Sequence, residues 1–345
     1  MMAQIPTKKL GKTDLAVPRL GFGGAPLGNA SNATAAISDE QARRTIEAAW
    51  SGGIRYFDTA PFYGYGLSEQ RLGQVLRQHA RREFTLSTKV GRVLHAAPDL
   101  DPGKPRFFAG GLPFEEVFDY SYDGIMRSYE DSLQRLGLAR IDLLVVHDLD
   151  FWFHKTEPRV NAYLGQLATS GWRALEQLRS GGQIKGVGAG INEMGMMPRF
   201  VDYVDLDFFL VAMPYNLLDQ HALDRELPLV QEHGLGVVIG AVFASGILAT
   251  GPVAGATYNY KPAPPEIQDR TRRIASVCQR HSVTIQAAAI QFPLFHPVVD
   301  AVIPGAIELG QVTSNIEAFS QPIPAALWRE LKAEGLLRQD APVGD

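Results

Sequence analysis

Apolar and polar positions follow two different periods along the chain. Short apolar runs rich in β-branched residues predict buried strands, and the longer amphipathic segments between them predict helices. The strands are expected at residues 20–24, 54–58, 84–90, 141–147, 184–190, 206–213, 236–242 and 298–304. The helices are expected at residues 39–51, 68–79, 114–136, 171–180, 193–201, 220–233, 265–281 and 308–319.

This alternation is typical of a parallel sheet whose strands are joined by crossover helices. Because it comprises eight strand and helix pairs, we expect an α/β fold of the closed (β/α)8 TIM-barrel type. Residues 9–18 carry Gly11, Lys12 and Asp14 between short apolar pairs, and they predict an N-terminal β-hairpin that plugs the bottom of the barrel. The length of 345 residues leaves one or two domains open, but the unbroken alternation predicts a single barrel domain over residues 1–345.

Two connections are longer than ordinary loops of this fold. Residues 91–113 follow the third predicted strand, and residues 149–170 follow the fourth. Both lie after strand C-termini, the face on which barrel enzymes build their active sites. Their aromatic side chains either close over a ligand or pack the loops down, and both interpretations stay open: Phe107, Phe108, Phe151, Trp152 and Phe153.

Charge and apolar content limit the partners. A formal net charge of -4, with acidic and basic residues mixed along the chain, gives no basic surface for nucleic acid.

Residues 234–260 lack charge and are long enough to span a bilayer, but their six glycines and Pro252 favour a buried strand and a loop. No apolar segment follows Lys8 and Lys9, so we expect no secretory signal and a cytoplasmic protein. The oligomeric state stays open.

The predicted strand ends carry the candidate chemistry. Asp58 ends the second strand and Tyr63 follows it, Lys89 ends the third and His147 the fourth. A phenol with a pKa near 10 needs a neighbouring ammonium to favour its phenolate, and a carboxylate keeps that ammonium charged. A nearby imidazole can orient a carbonyl oxygen. The set predicts acid and base catalysis at a carbonyl carbon, with Tyr63 transferring the proton.

Other chemistries find less support in the sequence. No activated serine or cysteine nucleophile is visible, and His147 with Asp148 lacks a second histidine pair for a zinc site, so we expect no metal. The single cysteine, Cys278, is expected to be a small buried side chain. The glycines of residues 186–190 resemble a dinucleotide fingerprint, but the motif continues into Ile191 and Asn192, which indicates a tightly packed barrel strand.

Several of these motifs together resemble the aldo-keto reductase superfamily over nearly the whole chain. They are Phe57-Asp58-Thr59-Ala60 with Tyr63 and Gly64, Ser87-Thr88-Lys89, His147, the Gly-x-Gly strand ending in Asn192, and Ile303-Pro304-Gly305 with Asn315. The resemblance implies a catalytic tetrad of Asp58, Tyr63, Lys89 and His147 beneath a nicotinamide that lies across the barrel mouth. It also implies substrate contacts by Phe62, Tyr63, His147 and Trp152. The implied cofactor contacts are Gly24, Asp58, Asn192, which holds the carboxamide, Phe243, Ser245, Gly246, Leu248, Gly305, Gln311 and Asn315.

Residues 111–114, 119–123 and 127–133 are similar to one branch of this superfamily, the sugar and pyridoxal dehydrogenases of the D-threo-aldose 1-dehydrogenase, L-fucose dehydrogenase and pyridoxal 4-dehydrogenase type. That similarity implies oxidation of a cyclic hemiacetal to a lactone. Many relatives place glutamine in the sixth strand and an aromatic residue at the end of the seventh. Here the nearest positions are Ala212 and Gly240, so the group that stacks on the nicotinamide stays open.

The cofactor expectation is NAD, with NADP possible. NADP-preferring relatives hold the 2′-phosphate with a lysine and an arginine, where this chain has Gly305 and Gln311. Residues 304–315 contain no lysine or arginine, only the acidic Glu308, so a phosphate there would be unpaired. Two alternatives remain: an NADPH-dependent aldehyde or ketone reductase, and a nucleotide-binding regulatory subunit on the same fold, as potassium-channel β subunits illustrate.

Overall fold

Eight parallel strands form a closed barrel, as predicted. The computed structural model describes residues 5–29, 36–101 and 106–344. The barrel strands are Phe22–Gly23, Tyr56–Asp58, Thr85–Val90, Leu143–His147, Gly186–Ile191, Phe208–Val211, Gly236–Ile239 and Val299–Val302. Parallel bridges from Leu20 to Val302 and from Gly23 to Gly305 join the first strand to the last and close the sheet.

The strand register brings the candidate residues to one end of the barrel. Asp58 pairs with Ser87 across the second and third strands, and His147 pairs with Gly190 across the fourth and fifth. Lys89 lies two residues beyond Ser87 on the same strand. Because parallel strands present their C-terminal ends on one face, the side chains of Asp58, Lys89 and His147 meet at the barrel mouth.

The barrel interior is a packed core, and the N-terminal hairpin seals it. Alternate strand residues point inward and form one apolar cluster: Tyr56, Leu143, Val145, Phe208, Leu210, Val238, Ala301 and Ile303, with Leu10 and Val17 from the hairpin. The hairpin strands are Thr7–Lys9 and Ala16–Pro18, so the predicted hairpin is confirmed and begins two residues earlier. Its turn is fixed where the Gly11 N–H donates to Asp300 Oδ2 at 3.0 Å.

Helices surround the barrel and pack on the outward side chains of the strands. The principal helices are Asp39–Ser51, Leu67–Leu76, Tyr122–Leu136, Trp172–Ser180, Met196–Tyr203, Glu226–Glu232, Pro265–Arg280 and Leu309–Ser320. The first begins as its sequence indicates, because Ser38 Oγ accepts a hydrogen bond from the Gln41 N–H at 3.1 Å. Cys278 is buried in its helix, as expected.

The connection after the third strand contains a hairpin rather than an irregular loop. Arg92–Ala96 pairs antiparallel with Phe114–Phe118, and the helix begins only at Tyr122. The long connection after the third strand is therefore confirmed, but the predicted helix start at residue 114 is wrong. The strand has the sequence Phe-Glu-Glu-Val-Phe, in which apolar and polar residues do not alternate, and it forms because it pairs with Arg92–Ala96. Residues 102–105 lie outside the described part of the chain.

A long connection also follows the fourth strand, as predicted, and most of its residues 149–170 are helical. Phe151–His154 and Glu157–Gln166 are helices, and a π-helical turn at Leu167–Gly171 leads into the next barrel helix. Asp150 caps the first of them, since its Oδ1 accepts from the Phe153 N–H at 3.2 Å.

Two helices have other bounds than predicted, and several elements were not predicted. The helix expected at 193–201 runs from Met196 to Tyr203, and the one expected at 220–233 divides into a 3₁₀ turn, His221–Leu223, and Glu226–Glu232. The additional elements are the helices Ile247–Thr250, Ile285–Gln291 and Ala325–Ala333 and the small hairpin of Thr257–Tyr258 with Lys261–Pro262. Within the described residues, no helix combines the length and apolarity needed to cross a bilayer.

Candidate active site

The barrel mouth holds a pocket that is open to solvent. It is lined by Ala25, Phe62, Tyr63, Lys89, Phe107, Phe108, His147, Asp148, Trp152, Phe153, Gly190, Ile191, Asn192, Leu210, Ala212 and Tyr260. The pocket thus collects Tyr63, Lys89 and His147 together with Phe62, Trp152 and Asn192, all singled out from the sequence. Asp58 lies beneath Lys89 rather than in the pocket wall.

Lys89 and Asp58 form a buried ion pair at the floor of the pocket. Nζ of Lys89 lies 2.7 Å from Asp58 Oδ2 and donates to the Thr59 carbonyl at 2.9 Å. Ser87 Oγ donates to the other carboxylate oxygen at 2.7 Å. Burial is the largest single influence and lowers the pKa of Lys89, but the charges and hydrogen bonds of Asp58 and Tyr63 together outweigh it, so the pKa is raised and the ammonium stays charged.

Tyr63 stands above this ion pair on the turn that follows the second strand. Nζ of Lys89 lies 4.5 Å from the centroid of its ring. Burial raises the pKa of the Tyr63 phenol above its usual value, and the positive charge of Lys89 opposes that rise. Lys89 therefore favours the phenolate, as expected. In the protein without ligand, however, burial has the larger effect on the pKa of Tyr63. A side chain at Gly28 would collide with this turn, because its Cβ would lie 2.4 Å from the Gly64 nitrogen.

His147 faces Tyr63 across the pocket. The two rings have centroids 5.8 Å apart and planes at 87°. Burial, then the charges of Arg92 and Lys89, hold the pKa of His147 well below its ordinary value, so the imidazole is neutral at neutral pH. The backbone of His147 is also fixed, since the Tyr120 hydroxyl donates to its carbonyl at 2.7 Å.

Asp148 and Asp150 both accept hydrogen bonds from Asn192, and Asp148 Oδ2 lies 3.2 Å from His147 Nε2. Nδ2 of Asn192 donates to Asp148 Oδ1 and to Asp150 Oδ2, each at 2.8 Å. The two hydrogens of this amide are thereby used, which leaves Asn192 Oδ1 as the atom able to accept a hydrogen bond. Burial and the neighbouring charge of Asp148 raise the pKa of Asp150 to about 6.

Arg92 is a buried cation that the sequence analysis missed. Its Nη2 donates to Asp148 Oδ2 at 2.6 Å. Its guanidinium carbon lies 3.8 Å from the ring centroid of Phe62, 4.2 Å from that of Phe153 and 4.5 Å from that of Phe118. Inspection of strand ends could not find it, because Arg92 lies on the inserted hairpin. The sequence feature that could have indicated a buried cation was the acidic residue Asp148 next to His147.

Aromatic side chains from three connections meet at the pocket mouth. The Tyr260 ring centroid lies 6.0 Å from that of Phe107 and 6.4 Å from that of Trp152. The loop aromatics therefore differ: some pack the loops down, while closure of the others over a ligand stays a prediction. Phe107 is 40% exposed at the mouth, whereas Phe108 is 2% exposed and packs against Phe62. Tyr260 was not predicted, since its small hairpin has no pattern of its own.

The remaining residues expected to contact a cofactor surround the same mouth. After the seventh strand, Ser245 and Gly246 have φ of 64° and 113°, and Ser245 Oγ accepts from the Tyr260 N–H at 3.1 Å. Phe243 and Leu248 pack beside them, and the Leu248 side chain is fully buried. The Leu248 N–H donates a hydrogen bond to the Phe243 carbonyl at 3.2 Å.

A second group of expected cofactor contacts lies around the first and last strands. The Gly24 N–H donates to the Asp58 carbonyl at 2.7 Å. Asn315 Nδ2 lies 3.5 Å from the Gly305 carbonyl, and Gln311 Oε1 accepts from the Ile307 N–H at 2.9 Å. Within the described ranges, no group of three or more His, Cys, Asp or Glu side chains is placed to hold a metal ion.

Comparisons with known proteins agree with this geometry. A model of the aldo/keto reductase family matches residues 19–334. The chain is 43% identical to a pyridoxal 4-dehydrogenase of Microbacterium luteolum, over 96% of this chain and 97% of that protein. It is 40% identical to a D-threo-aldose 1-dehydrogenase of a Pseudomonas species, over 94% and 95%. A solved holo aldo-keto reductase of Bacillus halodurans matches with a TM-score of 0.72, 27% identity and 99% coverage of both chains. The chain therefore belongs to the aldo/keto reductase family of oxidoreductases.

Proposed function

We propose that this protein is an NAD-linked dehydrogenase that oxidises the hemiacetal carbon of an aldose, of the L-fucose or D-threo-aldose type, or of pyridoxal, to a lactone. The observation that carries the proposal is the meeting of Tyr63, Lys89 and His147 in one pocket above the buried carboxylate of Asp58. The similarity to a pyridoxal dehydrogenase and an aldose dehydrogenase, each over more than nine tenths of the chain, supports the same reaction class.

In the proposed reaction, the anomeric carbon loses a hydride and its hydroxyl loses a proton, and the carbon becomes the carbonyl of a lactone. Tyr63 accepts that proton, and the charge of Lys89 stabilises the phenolate. The neutral imidazole of His147 orients the reacting oxygen between the two rings. No covalent intermediate with the protein is needed, and the described residues that line the pocket include no serine or cysteine.

A nicotinamide dinucleotide supplies the hydride acceptor when bound. The residues present suit it: both amide hydrogens of Asn192 are engaged, so its Oδ1 is the atom left to accept a hydrogen bond from the N–H of a carboxamide. The backbone at Ser245 and Gly246, together with Gly305, Gln311 and Asn315, would hold the rest of the dinucleotide. Asp58, Gly24 and Phe243 would contribute contacts at the nicotinamide end.

NAD fits the last-strand segment better than NADP. Residues 304–315 offer no lysine or arginine to a 2′-phosphate, and Glu308 stands immediately before the helix Leu309–Ser320. A phosphate of roughly -1.5 to -2 charges beside a carboxylate, with no cation from this segment, is electrostatically unfavourable.

The test is the initial rate of NADH or NADPH formation with L-fucose, D-arabinose, L-galactose and pyridoxal at mildly alkaline pH. We expect NAD-dependent oxidation of at least one of them. NADPH-dependent reduction of simple aldehydes without any oxidation would overturn the direction and the cofactor. Tight dinucleotide binding without turnover would support the regulatory-subunit alternative.

A further inference from the structure

A tyrosine occupies a strained position at the tip of the small hairpin beside the pocket. The strands Thr257–Tyr258 and Lys261–Pro262 are joined by Asn259 and Tyr260, whose φ angles are 49° and 60°. Turns of two residues with positive φ at both positions prefer asparagine followed by glycine, because a Cβ atom crowds the backbone in this conformation. Tyr260 stands where glycine is preferred, so its backbone conformation is unfavourable for the residue that adopts it.

Packing in the core does not account for a tyrosine at this position. Tyr260 is 45% exposed, and its ring lies beside those of Phe107 and Trp152 at the pocket mouth. Ser245 holds the hairpin in place, since its Oγ accepts from the Tyr260 N–H at 3.1 Å and its carbonyl accepts from Thr257 Oγ1 at 2.6 Å. A glycine at residue 260 would keep both hydrogen bonds. What the tyrosine adds is therefore its side chain, and strained residues of this kind are concentrated at functional sites.

The phenol end of Tyr260 belongs to the pocket rather than to the solvent. Tyr260 lines the same pocket as Tyr63 and Asp148. Burial, and then the charges of Tyr63 and Asp148, raise the pKa of the Tyr260 phenol, so the hydroxyl keeps its proton at neutral pH. Within the described part of the chain, this hydroxyl has no hydrogen-bond partner. It can therefore both donate a hydrogen bond to a ligand and accept one from it.

We propose that Tyr260 is a specificity-determining residue whose hydroxyl binds a ring hydroxyl of the substrate, away from the reacting carbon. The inference rests on the proposed function and deepens it, because it names the substrate class as a polyhydroxylated ring, such as a cyclic aldose. An aldose offers hydroxyls on the ring carbons beyond the anomeric centre. The neighbouring rings of Phe107 and Trp152 supply the apolar surface on which the C–H groups of such a ring can pack.

The hydroxyl is tested by Tyr260→Phe with two substrates. One is the aldose that the parent oxidises best, and the other is 2-hydroxytetrahydropyran, a six-membered hemiacetal ring without other hydroxyls. We expect kcat/KM for the aldose to fall by about 3- to 10-fold, the usual worth of one hydrogen bond, mainly through a higher KM. The value for 2-hydroxytetrahydropyran and the binding of NADH, followed by fluorescence, should stay unchanged. No loss with the aldose, or equal losses with both rings, would overturn the proposal.

The strained position is tested by Tyr260→Gly. Because glycine adopts positive φ readily, we expect the midpoint of urea unfolding to stay unchanged or to rise, while kcat/KM for the aldose falls at least as far as in Tyr260→Phe. The matched control is Asn259→Gly, at the other left-handed position of the same turn, which lies outside the pocket lining and should leave kcat/KM unchanged. A lower midpoint in Tyr260→Gly with an unchanged kcat/KM would show that the tyrosine serves the fold and would overturn the proposal.

The substrates that the parent accepts separate this inference from the proposed function. Oxidation of pyridoxal but of none of L-fucose, D-arabinose and L-galactose would leave the proposed function standing and would overturn the polyhydroxylated ring as the substrate class. Oxidation of an aldose, with a loss in Tyr260→Phe that is confined to the hydroxylated ring, is the result expected. If the parent oxidises neither the aldoses nor pyridoxal, the proposed function fails and the assignment of Tyr260 fails with it.

Discussion

Nζ of Lys89 and Oδ2 of Asp58 lie 2.7 Å apart in side chains that are 2% and 3% exposed. Ser87 Oγ donates to Asp58 and the Thr59 carbonyl accepts from Lys89, so both charged groups have further protein partners. A buried pair of this kind contributes little net stability, but loss of one partner leaves the other charge unpaired. The ammonium of Lys89, which Asp58 keeps charged, thus lies beneath Tyr63.

Replacing Lys89 by methionine tests this charge. We expect kcat for oxidation to fall by about 10²-fold or more, because the phenolate loses its stabilising cation. We also expect the free energy of unfolding, measured by urea denaturation, to fall by about 3–5 kcal/mol, because Asp58 is left buried and unpaired. The double variant Lys89→Met with Asp58→Asn should regain stability but not activity. Recovered activity in the double variant would show that the charge is dispensable.

Cofactor preference is tested at Gln311. The parent is expected to have a higher kcat/KM with NAD than with NADP. Gln311→Arg should lower the KM for NADP by about 10-fold, since a guanidinium can pair with the 2′-phosphate, while the KM for NAD stays nearly unchanged. Thr313→Arg, which adds the same charge on an exposed position of the same helix, is the matched control. A parent that prefers NADP would contradict the cofactor assignment.

Trp152 is expected to contact the substrate at the pocket mouth. Trp152→Ala should raise the KM for the substrate by about 10-fold, because a large ring surface is lost, and should leave NADH binding, followed by fluorescence, unchanged. The neighbouring Phe151→Ala is the control, because Phe151 packs outside the pocket lining, against Arg199. If both variants shift the KM equally, Trp152 has no special role at the mouth.

His154 makes stability depend on pH. Burial, then the charges of Arg159 and Arg92, lowers the pKa of His154 to about 4, whereas an unfolded histidine titrates near 6.5. Between these values the unfolded chain binds more protons, so the stability contributed by neutral His154 is present above pH 6.5 and is lost as the pH falls toward 4.

His154→Gln should therefore flatten the fall of unfolding free energy between pH 6 and pH 5 by up to about 1.4 kcal/mol, as measured by urea denaturation. The control is His95→Gln, because His95 is exposed on the inserted hairpin. Comparison with the parent cancels the other titrating groups, including Asp150, whose raised pKa acts in the opposite direction. An unchanged slope in His154→Gln would contradict this assignment.

The barrel could be predicted from the sequence because its strands have strong local patterns. The run at Val237 to Ile239, for example, is apolar, β-branched and bounded by glycines, and it forms the seventh strand. The inserted hairpin could not be predicted in the same way. Its strands Arg92–Ala96 and Phe114–Phe118 are separated by seventeen residues and form only through pairing with each other, which no local period records.

The candidate site was predictable to the extent that strand ends define it. Asp58, Lys89 and His147 end parallel strands, so their convergence follows from the fold alone. Arg92 and Tyr260 reach the mouth from inserted hairpins, and their positions depend on packing with Phe62 and Phe107. The roles of these side chains in turnover stay predictions.

The most direct test of the central claim compares the parent with Tyr63→Phe in NAD-dependent oxidation of the best hemiacetal substrate. We predict that the rate of NADH formation falls by about 10²- to 10⁴-fold, because the proton acceptor is lost, while NADH binding measured by fluorescence stays nearly unchanged. A Tyr63→Phe enzyme that oxidises the substrate at the parent rate would contradict the assignment of Tyr63 as the proton-transfer residue.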